Sequence, residues 1–275
     1  MVELTVSRSA AVFTTDDVAV GTYVLDDPFK PYLHPLRTPA GHTVSLAMPH
    51  DHRHHKGLMY ALATDDVNFW EEVGDDEHPR IGRQVQTDLD IAFTPAAPGI
   101  TQRLSWVDDL GDEVFSEIRA VTCARVADDT VRWTWDARLQ ASRDVALRMS
   151  PWAQPDSSGQ LVNYHGLGLR FARSIGQHAD HMQVVTDDGQ ASIAEVHGAR
   201  VPRVGIAAAI DGFWVAPRVL VSIRQLDTND GFFVLSHDFT TVSVGPSVLA
   251  RPRLAQGEAI AARYEIEVAD FGTVE

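Results

Sequence analysis

The stretches SEIRAVTC (residues 116–123) and VRWTWDARL (residues 131–139) decide the fold class of this chain. Apolar or aromatic residues alternate with polar ones throughout the second stretch and from Glu117 to Ala120 in the first, and this period of two is typical of half-buried β-strands. The acidic pair Asp128 and Asp129 between them is typical of a turn. These stretches therefore predict two strands of an antiparallel sheet.

Similar strand-sized pieces, separated by Asp-rich turns, recur on both sides of these stretches. Helical periodicity is weak, and the best candidates for short helices are residues 65–72 and 191–198. We predict an all-β chain folded as a large antiparallel β-sandwich rather than from βαβ units. No linker rich in Gly, Ser or Pro divides the chain, so residues 1–275 are predicted to form a single β-sandwich domain. The further strand candidates are residues 2–6, 18–24, 43–48, 82–89, 101–106, 167–171, 182–185, 204–209, 219–223, 232–236 and 261–268.

The composition excludes several classes of function. With 23 Lys and Arg against 38 Asp and Glu, the formal net charge of −15 repels nucleic acids and anionic membranes. Cys123 is the only cysteine, which excludes an intrachain disulfide and a thiolate metal cluster. The first residues lack a signal-peptide pattern, and no apolar run approaches the roughly 18 residues of a membrane-spanning helix. We expect a cytoplasmic protein that binds a small molecule and neither nucleic acid nor membrane, and the sequence leaves a homo-oligomer open.

The stretch PHDHRHHKGL (residues 49–58) holds four of the twelve histidines and is the first candidate for a functional site. If it is extended, His50, His52 and His54 project to one side and His55 to the other. Imidazoles on one face can hold a divalent metal ion, with His34 completing the ligand set, but the spacing does not require a metal. The alternatives are metal-free acid–base chemistry, for which the pKa of histidine is suited, and purely structural hydrogen bonds to loop backbone.

Other candidates lie outside the histidine run. His165 stands beside Gly166, which allows a ligand to approach closely, although a histidine in an exposed turn explains the same pattern. Arg37 can anchor a carboxylate through its fork of donors, or form an ordinary ion pair with a nearby acid. His237, which precedes Asp238, is a weaker candidate of the same kind.

The group Asn68, Trp70 and Glu71 has the side chains that a sugar-binding site needs. The ring of a tryptophan offers a flat apolar face to a sugar ring, while amide and carboxylate groups hydrogen-bond its hydroxyls. A core tryptophan beside surface acids on a short helix is the alternative interpretation. The sequence contains no Gly-rich phosphate loop, no nucleophile elbow and no dinucleotide fingerprint.

Several of these motifs together resemble a bacterial domain family known as PmoA-like, or "methane oxygenase PmoA". The resemblance extends over nearly the whole chain, although Arg53 stands where that family usually has proline. Members of the family tend to accompany sugar-processing enzymes, and their strand pattern is similar to the supersandwich of galactose mutarotase. The resemblance therefore implies a galactose mutarotase-like supersandwich and a role in carbohydrate metabolism. The residues that carry the resemblance are 31–41, 49–58, 67–71, 166–171 and 257–264.

We therefore predict a carbohydrate-active enzyme that acts on a sugar or modified glycoside by histidine-mediated acid–base chemistry, as an epimerase, lyase or hydrolase. His55 and His165 are the predicted acid–base residues, and His34, His52 and Arg37 are predicted to position hydroxyl groups. A metal-dependent enzyme built on the histidine run is one alternative. A sugar-binding module without catalytic activity is another.

Overall fold

The computed structural model describes residues 1–74, 80–92, 94, 96–175 and 182–274. Within these residues the regular structure is almost entirely β, with a single-turn helix as the exception. The strands are β1 (Glu3–Val6), β2 (Ala10–Thr15), β3 (Val18–Val24), β4 (Tyr32–Leu36), β5 (Leu58–Ala61), β6 (Arg83–Ala92), β7 (Gly99–Val107), β8 (Glu113–Ala127), β9 (Thr130–Ala141), β10 (Val145–Ala146), β11 (Gln154–Pro155), β12 (Leu161–Val162), β13 (Gly166–Arg170), β14 (Met182–Thr186), β15 (Gly189–Ala191), β16 (Arg203–Ala209), β17 (Ala216–Gln225), β18 (Phe232–Ser236), β19 (Thr240–Val244), β20 (Arg253–Leu254) and β21 (Ala259–Val274), and helix α1 is Ile193–Val196.

Two large antiparallel sheets form the body of the described structure. The first has the order β1-β2-β3-β4-β5-β13-β19-β18 and the second has the order β15-β14-β16-β17-β21-β9-β8-β7-β6. Their inner faces pack together, as seen where the ring of Phe13 on β2 meets that of Trp133 on β9 at 4.8 Å between centroids. The predicted all-β sandwich is therefore confirmed.

The hairpin of β8 and β9 forms as the alternation predicts. Its strands pair antiparallel from Phe115 with Ala141 to Ala127 with Thr130, so the two aspartates lie in the turn. The side chains of β9 alternate between the core and the other face, and the inward ones include Trp133 and Trp135. Burying aromatic side chains of this size contributes much of the hydrophobic stabilisation of a sandwich.

A charged pair also lies between the sheets. Arg119 and Glu117 on β8 are both fully buried, and Arg119 donates from Nε and Nη2 to the two carboxylate oxygens of Glu117, each at 2.7 Å. Trp106 Nε1 donates to the same carboxylate at 2.7 Å, and Arg119 also donates to Gln84 Oε1 and to the hydroxyl oxygen of Tyr23. These bonds satisfy the buried charges, which are costly when unpaired.

Two local predictions are wrong and one is confirmed. Residues 43–48 were expected to form a strand, but they make only isolated bridges, and Met48 has a φ of 52° that an extended strand does not allow. Residues 65–72 are not helical, because the side chain of Asn68 accepts the backbone N–H groups that follow it. The helix expected at 191–198 is α1, whose N-terminus is capped by Ser192.

No helix in the described part of the chain is long and apolar enough to cross a membrane.

Candidate functional site

A cleft with a volume of about 430 Å³ opens beside strands β18 and β19. This volume falls within the range of roughly 300 to 1,000 Å³ that is usual for small-molecule sites. The walls are mainly aromatic, with a few polar groups that converge on the same space. The lining residues are His52, His54, His55, Trp70, Glu71, Trp152, Gln154, Tyr164, Phe233, Leu235, Asp238, Phe239 and Thr241.

The histidine run forms consecutive turns rather than a strand. The backbone N–H of His52 donates to the carbonyl of Pro49, and that of His55 donates to the carbonyl of His52. As a result the rings do not alternate: His52 stacks on His55 at 4.9 Å, and His54 meets His55 edge-on at 4.5 Å. The turns therefore bring His52, His54 and His55 together on the cleft, while His50 is exposed and does not line it.

The polar centre of the cleft is the pair of His54 and Glu71. His54 Nδ1 lies 3.0 Å from Glu71 Oε2, and the hydroxyl of Tyr164 donates to the other oxygen at 3.4 Å. Burial raises the pKa of Glu71, but the hydrogen bond and charge of His54 outweigh burial and hold this pKa below its usual value. Glu71 is therefore a carboxylate that orients the imidazole, and Nε2 is the nitrogen of His54 left for a ligand.

The tautomer of His55 follows from its contact with Arg170. Arg170 Nη1 lies 3.3 Å from His55 Nδ1. Because a guanidinium has no acceptor, Nδ1 must accept this bond and the ring proton must be on Nε2. Burial, followed by the charges of His54 and Arg170, lowers the pKa of His55 well below its usual value. His55 is therefore a neutral hydrogen-bond donor, a role different from the acid–base role predicted from the sequence.

Trp70 lines the wall of the cleft, and Asn68 holds the loop behind it. Asn68 is buried, and its Oδ1 accepts the backbone N–H groups of Trp70 at 2.9 Å and Glu71 at 3.1 Å, which fixes the loop that presents both side chains. The indole of Trp70 lies against Gly168, where a Cβ would come within 2.6 Å of Cη2. Trp70 and Glu71 thus line the cleft, with Trp70 only 3% exposed and packed in a buried cluster, whereas Asn68 supports them from behind.

A buried ionic cluster lies beneath this loop. Lys30 donates to the carbonyl of Trp70 and pairs with Glu72 at 3.2 Å, and Lys56 pairs with Asp27 at 2.7 Å. Burial lowers the pKa of Lys30, which depends on Glu72 for its charge. The sequence contains no local signal for this cluster, because its members come from three separate segments that only the tertiary fold brings together.

Besides His50 and Asn68, four further predicted site residues lie away from the cleft lining. His34 Nδ1 contacts the hydroxyl of Ser45 at 2.8 Å, and Arg37 donates to Thr43 Oγ1 and to the carbonyl of Ala19. His165 is buried behind the cleft wall, with its ring 5.5 Å from that of Trp70. His237 is exposed and pairs with the neighbouring aspartate at 3.0 Å.

The metal hypothesis receives no support from the geometry of the run. In residues 1–74, 80–92, 94, 96–175 and 182–274, no three His, Cys, Asp or Glu side chains are grouped so as to hold a metal ion. His54 Nδ1 is engaged by Glu71, and His50 is exposed and does not line the cleft with His52 and His54. The strand geometry that would have aligned His50, His52 and His54 does not form.

Several cleft residues were missed by the sequence interpretation. Tyr164 and Phe239 come from distant segments, and only the position of Tyr164 directly before His165 could have drawn attention to it. Ser150 completes a short hydrogen-bonded chain, since its hydroxyl lies 2.6 Å from that of Tyr164 and accepts the N–H of Trp152 at 3.1 Å. This chain connects the loop of Trp152 with the carboxylate of Glu71.

The buried neutral state of His55 predicts a pH dependence of stability. Unfolded His55 binds a proton below its usual pKa of about 6.5, whereas the folded ring stays neutral, so stability falls as the pH decreases below that value. His55→Gln removes this linkage. Between pH 6.5 and 5.5 the wild type should lose about 1 kcal/mol more than the variant, measured by urea unfolding. Above pH 7.5 the two pH slopes should coincide; equal slopes at all pH values would contradict the assignment.

One comparison with known protein families matches the region that contains the cleft. A family model described as a family of unknown function (DUF6807) matches residues 10–273, which include every residue of the cleft. No curated protein matches the chain. The resemblance to PmoA-like proteins and to galactose mutarotase is not tested by this match and stays a prediction.

Proposed function

We propose that this chain, which belongs to the DUF6807 family of unknown function, is a carbohydrate-active enzyme that acts on a sugar or modified glycoside by acid–base chemistry. The observation that supports this proposal best is the contact of 3.0 Å between His54 and Glu71 inside an aromatic cleft. An imidazole oriented by a carboxylate is a standard arrangement for moving a proton to or from a bound substrate.

The chemistry of the walls supports a sugar as the ligand. Trp152, Tyr164 and Phe239, which are exposed or half-buried, offer apolar ring faces to the carbon–hydrogen surface of a pyranose. Trp70 and Phe233 also line the cleft, but each is only 3% exposed. Gln154 and the imidazole groups offer donors and acceptors for its hydroxyls. A cleft that combines aromatic faces with a few fixed polar groups suits a ligand that is apolar on one side and hydroxylated at its edge.

The two histidines of the cleft have complementary roles in the proposed reaction. His54 takes or gives a proton through Nε2, and Glu71 stabilises the imidazolium that forms. His55 donates from Nε2 to a substrate oxygen that gains negative charge, as a neutral imidazole can do near pH 7. One base with one donor to an oxygen favours epimerisation or elimination over hydrolysis, which more often relies on two carboxylates.

A panel of hexoses, uronates and glycosides tests this function. Each sugar is incubated with the protein in D₂O, and proton NMR follows anomeric interconversion, deuterium incorporation, elimination and hydrolysis. Chemical change that requires the protein supports the enzyme. Binding without any change after long incubation supports a non-catalytic sugar-binding module, and the absence of both contradicts a carbohydrate function.

Trp152→Ala tests whether the aromatic wall binds the sugar. Trp152 is 68% exposed and lines the cleft, so its ring is available for stacking on a ligand. We expect about tenfold weaker sugar binding, since about 1.4 kcal/mol of stacking corresponds to a factor of ten. Trp214→Ala is the matched control, because Trp214 is also exposed but does not line the cleft. Equal affinity of both variants would contradict the stacking role.

A further inference from the structure

Arg170 is a buried cation without a carboxylate partner in the described structure. The residue is only 3% exposed. It forms no ion pair with an acid within residues 1–74, 80–92, 94, 96–175 and 182–274. Its Nη1 contacts His55, but its buried Nε and Nη2 atoms have no hydrogen-bond partner among those residues. Burial lowers the pKa of Arg170 to about 10, the charge of Asp51 opposes this shift, and the charge of Arg173 adds to it.

The two partnerless atoms form one edge of the guanidinium, and the same edge binds carboxylates elsewhere in this protein. Arg119 uses Nε and Nη2 to hold both oxygens of Glu117, each at 2.7 Å. Arg132 uses the same two atoms to hold Glu267 at 3.0 and 2.7 Å. A carboxylate therefore matches both the geometry and the charge that Arg170 presents.

Arg170 lies in the wall beside the cleft. It lines a side cavity of about 40 Å³ together with Phe239, and Phe239 also lines the main cleft. The ring of Phe239 covers the face of the guanidinium, with Cζ 3.4 Å from the ring centroid. Carboxylate binding uses the edge of the guanidinium in its own plane, so this stacking orients the fork without occupying it.

We propose that Arg170 is the carboxylate-binding residue of a subsite beside the cleft and that the substrate is an anionic sugar of the uronate class. This inference rests on the proposed function and names the chemical class of its substrate. Burying a guanidinium without a counter-charge is costly, and a ligand carboxylate supplies that charge when it binds. The side cavity is small, and of the described residues that line it Arg170 is the one cation outside an ion pair.

A single planar monoanion fits these surroundings better than a phosphate. Arg173, which also lines the side cavity, is already paired with Asp51 at 2.7 Å. Asp238 lines the same cavity and lies 3.0 Å from His237, but both side chains are exposed, so solvent screens the charge of this carboxylate. One free guanidinium edge neutralises a carboxylate, whereas a phosphate dianion calls for further positive charge.

Matched pairs of sugars test the inference. The affinities of D-glucuronate and D-glucose, and of D-galacturonate and D-galactose, are measured by titration calorimetry at pH 7 and low salt. We expect the wild type to bind at least one uronate about tenfold or more tightly than its neutral partner, because only the uronate forms the two charge-assisted hydrogen bonds of the fork. Arg170→Met should abolish this preference, and Arg170→Lys should reduce it.

Arg103→Met is the control, because it removes one positive charge from an exposed position outside the cleft. Arg103→Met should keep the uronate preference. The wild type should also keep this preference when acetate is present at a submillimolar concentration. Loss of the preference in Arg103→Met, or its retention in Arg170→Met, would overturn the subsite. Binding of the hexoses and uronates with equal affinity overturns the subsite but leaves the proposed function standing, whereas failure of every sugar to bind overturns both. An Arg170-dependent effect of acetate alone, without a uronate preference, would identify a free-anion site instead.

Discussion

Replacing Arg119 with methionine should lower the free energy of unfolding by about 3 to 5 kcal/mol, because it leaves the carboxylate of Glu117 buried without its counter-charge. Both residues are fully buried between the sheets, and their two hydrogen bonds of 2.7 Å have no solvent to replace them. Methionine restores most of the volume but offers no donor. The remaining bond from Trp106 to Glu117 does not neutralise the charge.

Urea unfolding measures this change, and Arg170→Met is its matched control. Both substitutions replace a buried arginine by methionine, but only Arg119→Met leaves an acid behind among the described residues. We expect Arg170→Met to change the free energy of unfolding by much less, since it removes an uncompensated charge together with one hydrogen bond. The double variant Arg119→Met with Glu117→Leu should recover part of the loss. A change below about 1 kcal/mol for Arg119→Met would show that the buried pair contributes little to stability.

The same strand shows where sequence reasoning succeeds and where it stops. The alternation in residues 116–123 correctly predicts strand β8, because a period of two is a local property of the chain. The alternation does not reveal that Glu117 and Arg119 point inward while Ile118 is 42% exposed. The longer run of inward residues, from Phe115 to Cys123, fixes the face of the strand and carries both charged side chains into the core.

The candidate site could likewise be predicted only in part from the sequence. The histidine run, Trp70 and Glu71 stand out in the sequence because their residue types suit a polar site. Their geometry could not be predicted, since the turns at His52 and His55 replace the strand on which the predicted alternation depended. Tyr164 and Phe239 reach the cleft through the pairing of β5, β13, β19 and β18, and such long-range pairing leaves no mark in a single sequence.

Glu71→Gln should reduce turnover of the sugar substrate by about 100- to 10,000-fold while leaving the fold intact. Glutamine keeps the shape of the side chain and can still accept a hydrogen bond from His54, but it cannot stabilise a charged imidazolium. Steady-state kinetics should show the loss mainly in kcat, because the missing charge matters most when the proton is transferred. Circular dichroism and urea unfolding provide the check on folding.

A double variant tests whether His54 and Glu71 act as a unit or as two independent residues. If the carboxylate acts through the imidazole, His54→Ala with Glu71→Gln should be no slower than His54→Ala alone, because groups that act as a unit are strongly non-additive. Glu3→Gln, on the exposed first strand, changes the charge equally outside the cleft and should keep wild-type turnover. Multiplying losses in the double variant would mean that Glu71 contacts the substrate by itself. Full activity of Glu71→Gln would remove the His54–Glu71 pair from the chemistry and leave the other polar residues that line the cleft, His55 among them, as candidates.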